Sequence, residues 1–393
     1  MKILMLTSRF GFGYGMGYSA YKEATALVSL GHSVTVVHCY SNSEIAHFSD
    51  PRVICVYLPM KKMPMIGFLL YFFKLNRLFR EKLNSKNFDC IYIQSLEFGL
   101  LNFSRMTIPV FYYARSTMRG MQRALRNEGI KKSPLARMIH VVLVALERRC
   151  MHYSQVIFVK SSQMAGEVSG LYKVSPNKIT VITGGIDEED FQIQSNSASA
   201  AFKDKCKMPL DVPVVLYAGR IVPQKGLSYL VEASLKLLRE MRFIVVIAGA
   251  DMDASYYAKI KRQLESSPHQ KSFYFLGHVE QRAMSSILNL ADCLVTPSIY
   301  EPFGMVNLQA AFLNKNIITT DATGSTDLLA DYKKIKIVHA GSSAAIESAL
   351  REVLSWKNQG SQTPFDFQGY SWLAVAEQLT HYFRKRITQN RAK

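Results

Sequence analysis

Short runs of β-branched and apolar residues alternate along this chain with longer stretches whose apolar positions recur every three or four residues. That alternation predicts parallel sheets with helices on both faces. In the first half the strand segments are Lys2–Leu6, Ser33–Cys39, Val53–Tyr57, Cys90–Gln94, Val110–Tyr113, Val156–Val159 and Ile179–Ile182, with a helix from about Ser19 to Leu30 closed by Gly31. The polar stretch Gln194–Ala201 breaks the rhythm and reads as a linker. A second series follows: Val212–Tyr217, Phe243–Ala248, Ser272–Leu276, Cys293–Thr296, Ile317–Thr320 and Lys336–Val338, with helices at Gly226–Met241 and Ala283–Leu290. Trp372, Val375, Leu379 and Phe383 fall roughly in line along a last helix, Ser371–Arg386. Two doubly wound α/β domains are therefore expected, residues 1–195 and 206–370, with ligands beyond the C-terminal strand ends.

Composition narrows the class without naming the chemistry. The chain has 393 residues and a net charge of +18, which draws its surface toward nucleic acid, anionic lipid or a phosphorylated substrate. Six scattered cysteines with no CxxC favour reduced, buried thiols over disulfides or zinc. No apolar run approaches the roughly 20 residues that span a bilayer. The start, Met1–Ser8, reads as a first strand rather than a signal peptide.

Three segments carry candidate chemistry. Gly11, Gly13, Gly15 and Gly17 follow the first strand, where backbone can approach an anion at a helix N-terminus, although the spacing is not GxGxxG and a plain flexible loop is the alternative. Gly219-Arg220, followed by Lys225-Gly226, opens the second series just past a strand. Two cations and a helix N-terminus there suit a diphosphate leaving group, on which charge grows as a bond breaks. In Pro297-Ser-Ile-Tyr-Glu-Pro-Phe-Gly, Glu301 follows a buried strand, and Gly304 and Met305 begin a helix. A carboxylate there can accept hydrogen bonds from sugar hydroxyls, and Gln309 shares nearly the same helix face.

These segments resemble the retaining glycosyltransferases of family 4, which have the GT-B fold of two Rossmann-like domains facing across a cleft. The Gly-Arg-x4-Lys-Gly segment is similar to that family's diphosphate clamp, and Pro297–Gly304 to its donor-sugar loop. Leu276-Gly-His-Val resembles a segment framing the nucleotide base, Thr180–Asp187 the turn ending the first domain, and Tyr370-Ser-Trp the start of a helix that returns to it, so that 371–393 joins the first domain. The resemblance implies that Arg220 and Lys225 neutralise the diphosphate, with Gly219 beside them, and that Glu301 holds donor-sugar hydroxyls. It further implies assistance from the main chain of Phe303, Gly304, Met305 and Val306, with Val279 against the base. Gly15 and Gly17 would face the phosphates or acceptor. No metal and no cofactor beyond the nucleotide-diphosphate sugar donor is expected.

Three positions depart from that pattern. The usual Glu-x7-Glu pair is Glu301 and Gln309, whose amide oxygen can still accept a ribose hydroxyl without charge. The usual Asn-Gly is Gly184-Gly185. The His common near the reacting carbon is missing from Tyr113-Ala-Arg-Ser, which leaves Arg115 or Ser116 in that region and makes Arg115 the first-domain catalytic candidate.

The implied activity is transfer of a sugar, with retention at the anomeric carbon, to a glycan or lipid-linked acceptor, in polysaccharide or glycolipid biosynthesis. The apolar and basic residues of 61–80 and the cations of 115–149 suit an anionic membrane surface, which places the protein in the cytoplasm or at the inner face of the plasma membrane. No nucleic-acid recognition motif is present. A sugar-nucleotide epimerase, a phosphorylase and a non-catalytic partner subunit share the fold and stay open at this point.

Overall fold

The computed structural model describes residues 1–11, 15–39, 51–60, 64–81, 83, 87–130, 133–186, 207–209, 211–280, 283–356 and 368–391. The expected linker Gln194–Ala201, along with Gly13, Lys61, Lys62, Lys131, Lys132 and Cys206, lies outside them. The chain divides into two compact units: Met1–Arg123, Ile130–Gly185 and Gln368–Lys393 form the first, and Ala124–Gly129 with Ile186–Phe367 the second.

In the first unit seven parallel strands take the order β3-β2-β1-β4-β5-β6-β7. They are β1 (Lys2–Thr7), β2 (Ser33–His38), β3 (Val53–Tyr57), β4 (Cys90–Ile93), β5 (Val110–Ala114), β6 (Val156–Val159) and β7 (Ile179–Val181). Strand alternation sends Leu4, Leu6, Ile91, Ile93 and Tyr112 to one face. There they meet Tyr71, Leu75 and Phe79 of α2 (Pro64–Glu81) and Cys150 and Met151 of α4 (Pro134–Tyr153). Tyr92, Phe111 and Phe158 stack instead around Phe383 of the last helix, α11 (Trp372–Arg391), with 4.7 Å between the Phe111 and Phe383 ring centroids. Trp372, Val375 and Leu379 are buried along the same stripe. At Gly185 a Cβ would lie 2.8 Å from the Trp372 main chain, so the Gly-Gly turn permits this close approach.

The second unit's parallel sheet takes the order β10-β9-β8-β11-β12-β13. Its strands are β8 (Val214–Ala218), β9 (Ile244–Ala248), β10 (Phe273–Gly277), β11 (Cys293–Thr296), β12 (Asn316–Thr320) and β13 (Ile335–Val338). Val215, Tyr217, Val245, Ile247 and Val295 pack on α6 (Leu227–Leu237), α7 (Ala254–Glu265) and α10 (Ser343–Ser355). Val214, Leu216, Val246 and Leu294 pack on α8 (Met284–Leu290) and α9 (Met305–Phe312). Burial of both faces explains why these strands read as continuous apolar runs.

The boundaries differ from the sequence reading where backbone chemistry intervenes. β8 starts at Val214, because Pro213 has no N–H for the ladder and supplies only its carbonyl, to Ile244 N at 2.9 Å. Helix α1 (Gly15–Ser29) begins four residues before the expected Ser19, so Gly15 and Gly17 lie in its first turn. The Ser19 hydroxyl donates to the Gly15 carbonyl at 3.0 Å inside that helix. Among the described residues, five cysteines are unpaired.

Candidate functional site

The two strongest sequence segments leave neighbouring strands. β8 and β11 lie side by side, and the connections from them run in opposite directions, to β9 and β10 or to β12 and β13. Such a switch point opens a crevice at the C-terminal strand ends. After β8, Gly219 N donates to Ala248 O (2.9 Å) and the Tyr217 hydroxyl to Arg220 O (2.8 Å), which fixes the turn carrying the Arg220 side chain into solvent. A tight turn at Pro223–Lys225 follows, and Gly226 closes it in the left-handed region, φ 66°.

This loop is stitched to the one after β11. Ile299 N donates to Gln224 O at 3.0 Å, and Gln224 Nε2 donates to Tyr300 O at 3.1 Å. Gly226 presses against the Pro297 carbonyl so closely that a Cβ would overlap its oxygen. Lys225 and Glu301 are thereby brought into an ion pair, each side chain 17% exposed. The Glu301 loop is held from its other side by Glu301 N to Ala322 O (3.1 Å), Gly324 N to Glu301 O (2.9 Å) and Ser325 N to Phe303 O (2.7 Å).

Gly304, at φ 88°, then turns the chain into α9 with no side chain capping its first amides. A helix start of this kind presents N–H groups and the positive end of its dipole to an anion. Phe303 is buried, and Val279, Met305 and Val306 pack half-buried against the same apolar cluster, so the expected base-side and phosphate-side residues share one support. Gln309 is buried on α9. Sequence reasoning missed Asn307, fully buried, which accepts from the Thr296 hydroxyl (2.9 Å) and donates to Thr319 (3.0 Å) and Ser325 (3.3 Å). Its signal was an amide, one of two with Gln309, in an otherwise apolar helix. It ties α9 to β11, β12 and the loop beneath Gly304. Gln224 was missed as well, although it couples the two loops.

In the first unit Arg115 follows β5, and its guanidinium turns inward. It donates to Glu23 of α1 (2.8 Å) and to Gln94 Oε1 (2.9 Å), while Glu23 also accepts from Tyr92 (2.8 Å) and Gln94 Nε2 (2.7 Å). The Arg115 side chain is 8% exposed and that of Glu23 1%. Burial opposes the charge on Arg115, but the Glu23 carboxylate, joined by Tyr92 and Tyr113, tips the balance and raises the guanidinium pKa. Arg115 is thus neutralised within the unit, and this pair anchors the helix that carries Gly15 and Gly17.

In the second unit a cation and a carboxylate from different loops meet beside an uncapped helix start, an arrangement able to take an anionic group and a polyhydroxyl group together. The sequence model of the glycosyl transferases group 1 matches residues 199–363, and that of glycosyltransferase family 4 matches residues 14–190. The chain belongs to glycosyltransferase family 4. The fold of this family 4 chain is GT-B. It superposes on sucrose-phosphate synthase from Thermosynechococcus elongatus with a TM-score of 0.78 at 17% identity, covering 98% of this chain and 99% of that one. It superposes on Anabaena HepE, solved with UDP and glucose, with a TM-score of 0.76 at 16% identity, covering 98% and 100%. In sequence it is 24% identical over 254 residues to alpha-maltose-1-phosphate synthase of Mycolicibacterium smegmatis, a match that covers 61% of this chain. That alignment spans 65% of the relative's own length.

Proposed function

We propose that this family 4 chain transfers a glycosyl unit from a nucleotide-diphosphate sugar to a glycan or lipid-linked acceptor, with retention at the anomeric carbon and without a metal. The observation that carries the reading is the Lys225–Glu301 pair, assembled by two interlocked loops at the β8/β11 switch point beside the start of α9. Support also comes from the neighbouring fold of HepE, solved with UDP and glucose.

In this reading Lys225, Arg220 and the amides of Phe303 to Val306 take the diphosphate. Glu301 accepts hydrogen bonds from donor-sugar hydroxyls, Gln309 accepts one from the ribose, and Val279 lies against the base. The bond from the anomeric carbon to the phosphate oxygen breaks, and the bond to the acceptor oxygen forms on the same face. The acceptor's proton passes to the departing phosphate oxygen, so no side-chain nucleophile is consumed. Protein catalysis then consists of placement and stabilisation of the leaving charge. Arg115 acts by fixing Glu23 and α1 rather than by touching the reacting carbon.

The test is incubation with labelled UDP-, GDP- and ADP-sugars and a panel of glycan and lipid-linked acceptors. Transfer with release of nucleoside diphosphate, lost in Lys225→Ala and Glu301→Ala, is the expected result. Epimerised sugar nucleotide without transfer, or turnover indifferent to both substitutions, would overturn it.

A further inference from the structure

The first unit carries a surface that the donor chemistry does not use. Helices α2 and α4 cover the same face of its sheet and grip the segment Leu96–Leu101 from either side. Asn76 Nδ2 of α2 donates to Leu100 O (3.1 Å), and Arg149 Nε of α4 donates to Gly99 O (2.9 Å). Their inner stripes are in the core, so their outer stripes turn away from the sheet, one on either side of Leu96–Leu101. Along α2 the outer stripe begins with Leu69, Leu70, Phe72 and Phe73 and ends with Lys74, Arg77 and Arg80, all exposed. Along α4 it begins with Leu135, Met138 and Val141 and ends with Arg148. Phe73 is 62% exposed and Val141 67%. Among the described residues, these two helices hold eight of the fifteen large hydrophobic side chains that are exposed, Tyr153 at the end of α4 included.

The two stripes are also in phase. α2 leads toward the start of β4, and Gln155, just beyond α4, donates to Val110 O at the start of β5 (2.9 Å). Both helices therefore run counter to the strands. The apolar end of each stripe lies toward the C-terminal strand ends, with Arg137 exposed among the apolar residues of α4, and the basic end of each lies toward the other. Scattered exposed apolar residues need no explanation, but two stripes of them on one face of the unit, each running into a basic end, mark an interaction surface.

We propose that this face docks on an anionic lipid bilayer, with the Leu69–Phe73 and Leu135–Val141 turns in the headgroup–acyl boundary and Lys74, Arg80 and Arg148 among the headgroups. The charge argues for lipid over a second copy of the chain, because a copy would set these cations and a net charge of +18 against themselves. Among the described residues no helix is long and apolar enough to cross a membrane, so contact through α2 and α4 would be interfacial. The inference is independent of the donor-site reading, since none of these residues belongs to that site.

The experiment is flotation of the full chain with vesicles of phosphatidylcholine alone or mixed with phosphatidylglycerol. Binding is expected only to the mixed vesicles. It should weaken about five-fold for each of Lys74→Ser, Arg80→Ser and Arg148→Ser, weaken about ten-fold for each of Phe73→Ser and Val141→Ser, and vanish near 1 M salt, where the screening length is about 3 Å. Melting temperatures of the variants should match the parent, because every substituted side chain is exposed. Should an apolar variant misfold, Lys74→Glu with Arg148→Glu serves in its place. Absence of binding to the mixed vesicles at low salt overturns the proposal, as does binding indifferent to these variants. A lipid-independent dimer in sedimentation that these substitutions dissolve also overturns it.

Discussion

The Lys225–Glu301 pair sets up an experiment whose two readouts move in opposite directions. Without donor, the cation assigned to the diphosphate is neutralised by the carboxylate assigned to the sugar, and both side chains are largely sheltered. At about 4 Å and an effective dielectric near 20, two unit charges attract by about 4 kcal/mol. Residual solvent access and the desolvation of both groups leave a net coupling of about 1–2 kcal/mol. Glu301→Gln keeps the shape and an acceptor oxygen but removes the charge, which frees Lys225 for a phosphate. Calorimetric titration with UDP, GDP and ADP should therefore show the preferred nucleoside diphosphate binding about ten-fold more tightly, equivalent to about 1.4 kcal/mol. Transfer should fall at the same time, because hydrogen bonds between a carboxylate and sugar hydroxyls contribute about 1.5–3 kcal/mol. Donor kcat/KM is then expected to drop about 10- to 100-fold. Lys225→Ala should weaken both. Unchanged or weaker nucleoside diphosphate binding in Glu301→Gln, or unimpaired transfer, would refute the idea that the pair exchanges partners when donor binds.

Three further expectations follow from the packing. Gly226→Ala combines a left-handed φ of 66° with overlap of the Pro297 carbonyl. It should cost about 2–4 kcal/mol in denaturant unfolding and weaken nucleotide binding, since it parts the two loops. Glu23→Ala leaves the Arg115 guanidinium buried without its carboxylate and should cost about 3–5 kcal/mol, while Glu23→Leu with Arg115→Met should recover much of that loss in the same unfolding assay. Glu147, on α4, accepts from Tyr172 and from Met118 N, and burial is the main cause that raises its pKa from 4.5 to about 7. An acid with a raised folded pKa binds more protons when folded, so its contribution to stability declines as pH rises from about 4.5 to about 7. Stability against pH should lose that declining component in Glu147→Gln relative to the parent.

Much of this was open to inspection in the primary structure. Strands buried on both faces leave unbroken apolar runs such as Val214–Leu216 and Ile244–Ile247, and the Gly-Arg-x4-Lys-Gly and Ser-x-Tyr-Glu-Pro-Phe-Gly strings sit directly behind two of them. Other features depend on long-range pairing, which no local pattern encodes. Glu23 and Arg115 are 92 residues apart, and only folding shows that the arginine is committed inward. Lys225 and Glu301 are 76 residues apart, so each could be assigned a ligand from its motif while their mutual neutralisation stayed hidden. The start of α1 was misplaced because glycines weigh against a helix, whereas here the packing of Tyr18, Ala20 and Glu23 on the sheet overrides that propensity. The apolar and basic residues of 61–80 and the cations of 115–149 are legible as surface features, but only the tertiary structure shows that Leu135, Met138 and Val141 are exposed on a helix that covers the same sheet face as α2.

In the function proposed here, the loops after β8 and β11 take a nucleotide-diphosphate sugar. A crystal structure with the donor selected by the transfer assay tests it most directly. The two phosphates are expected within hydrogen-bond distance of Lys225 Nζ, the Arg220 guanidinium and the amides that begin α9, with Glu301 released from Lys225 and facing a sugar hydroxyl. A donor bound away from these loops, or one bound there with the Lys225–Glu301 pair intact and the phosphates in solvent, would contradict it.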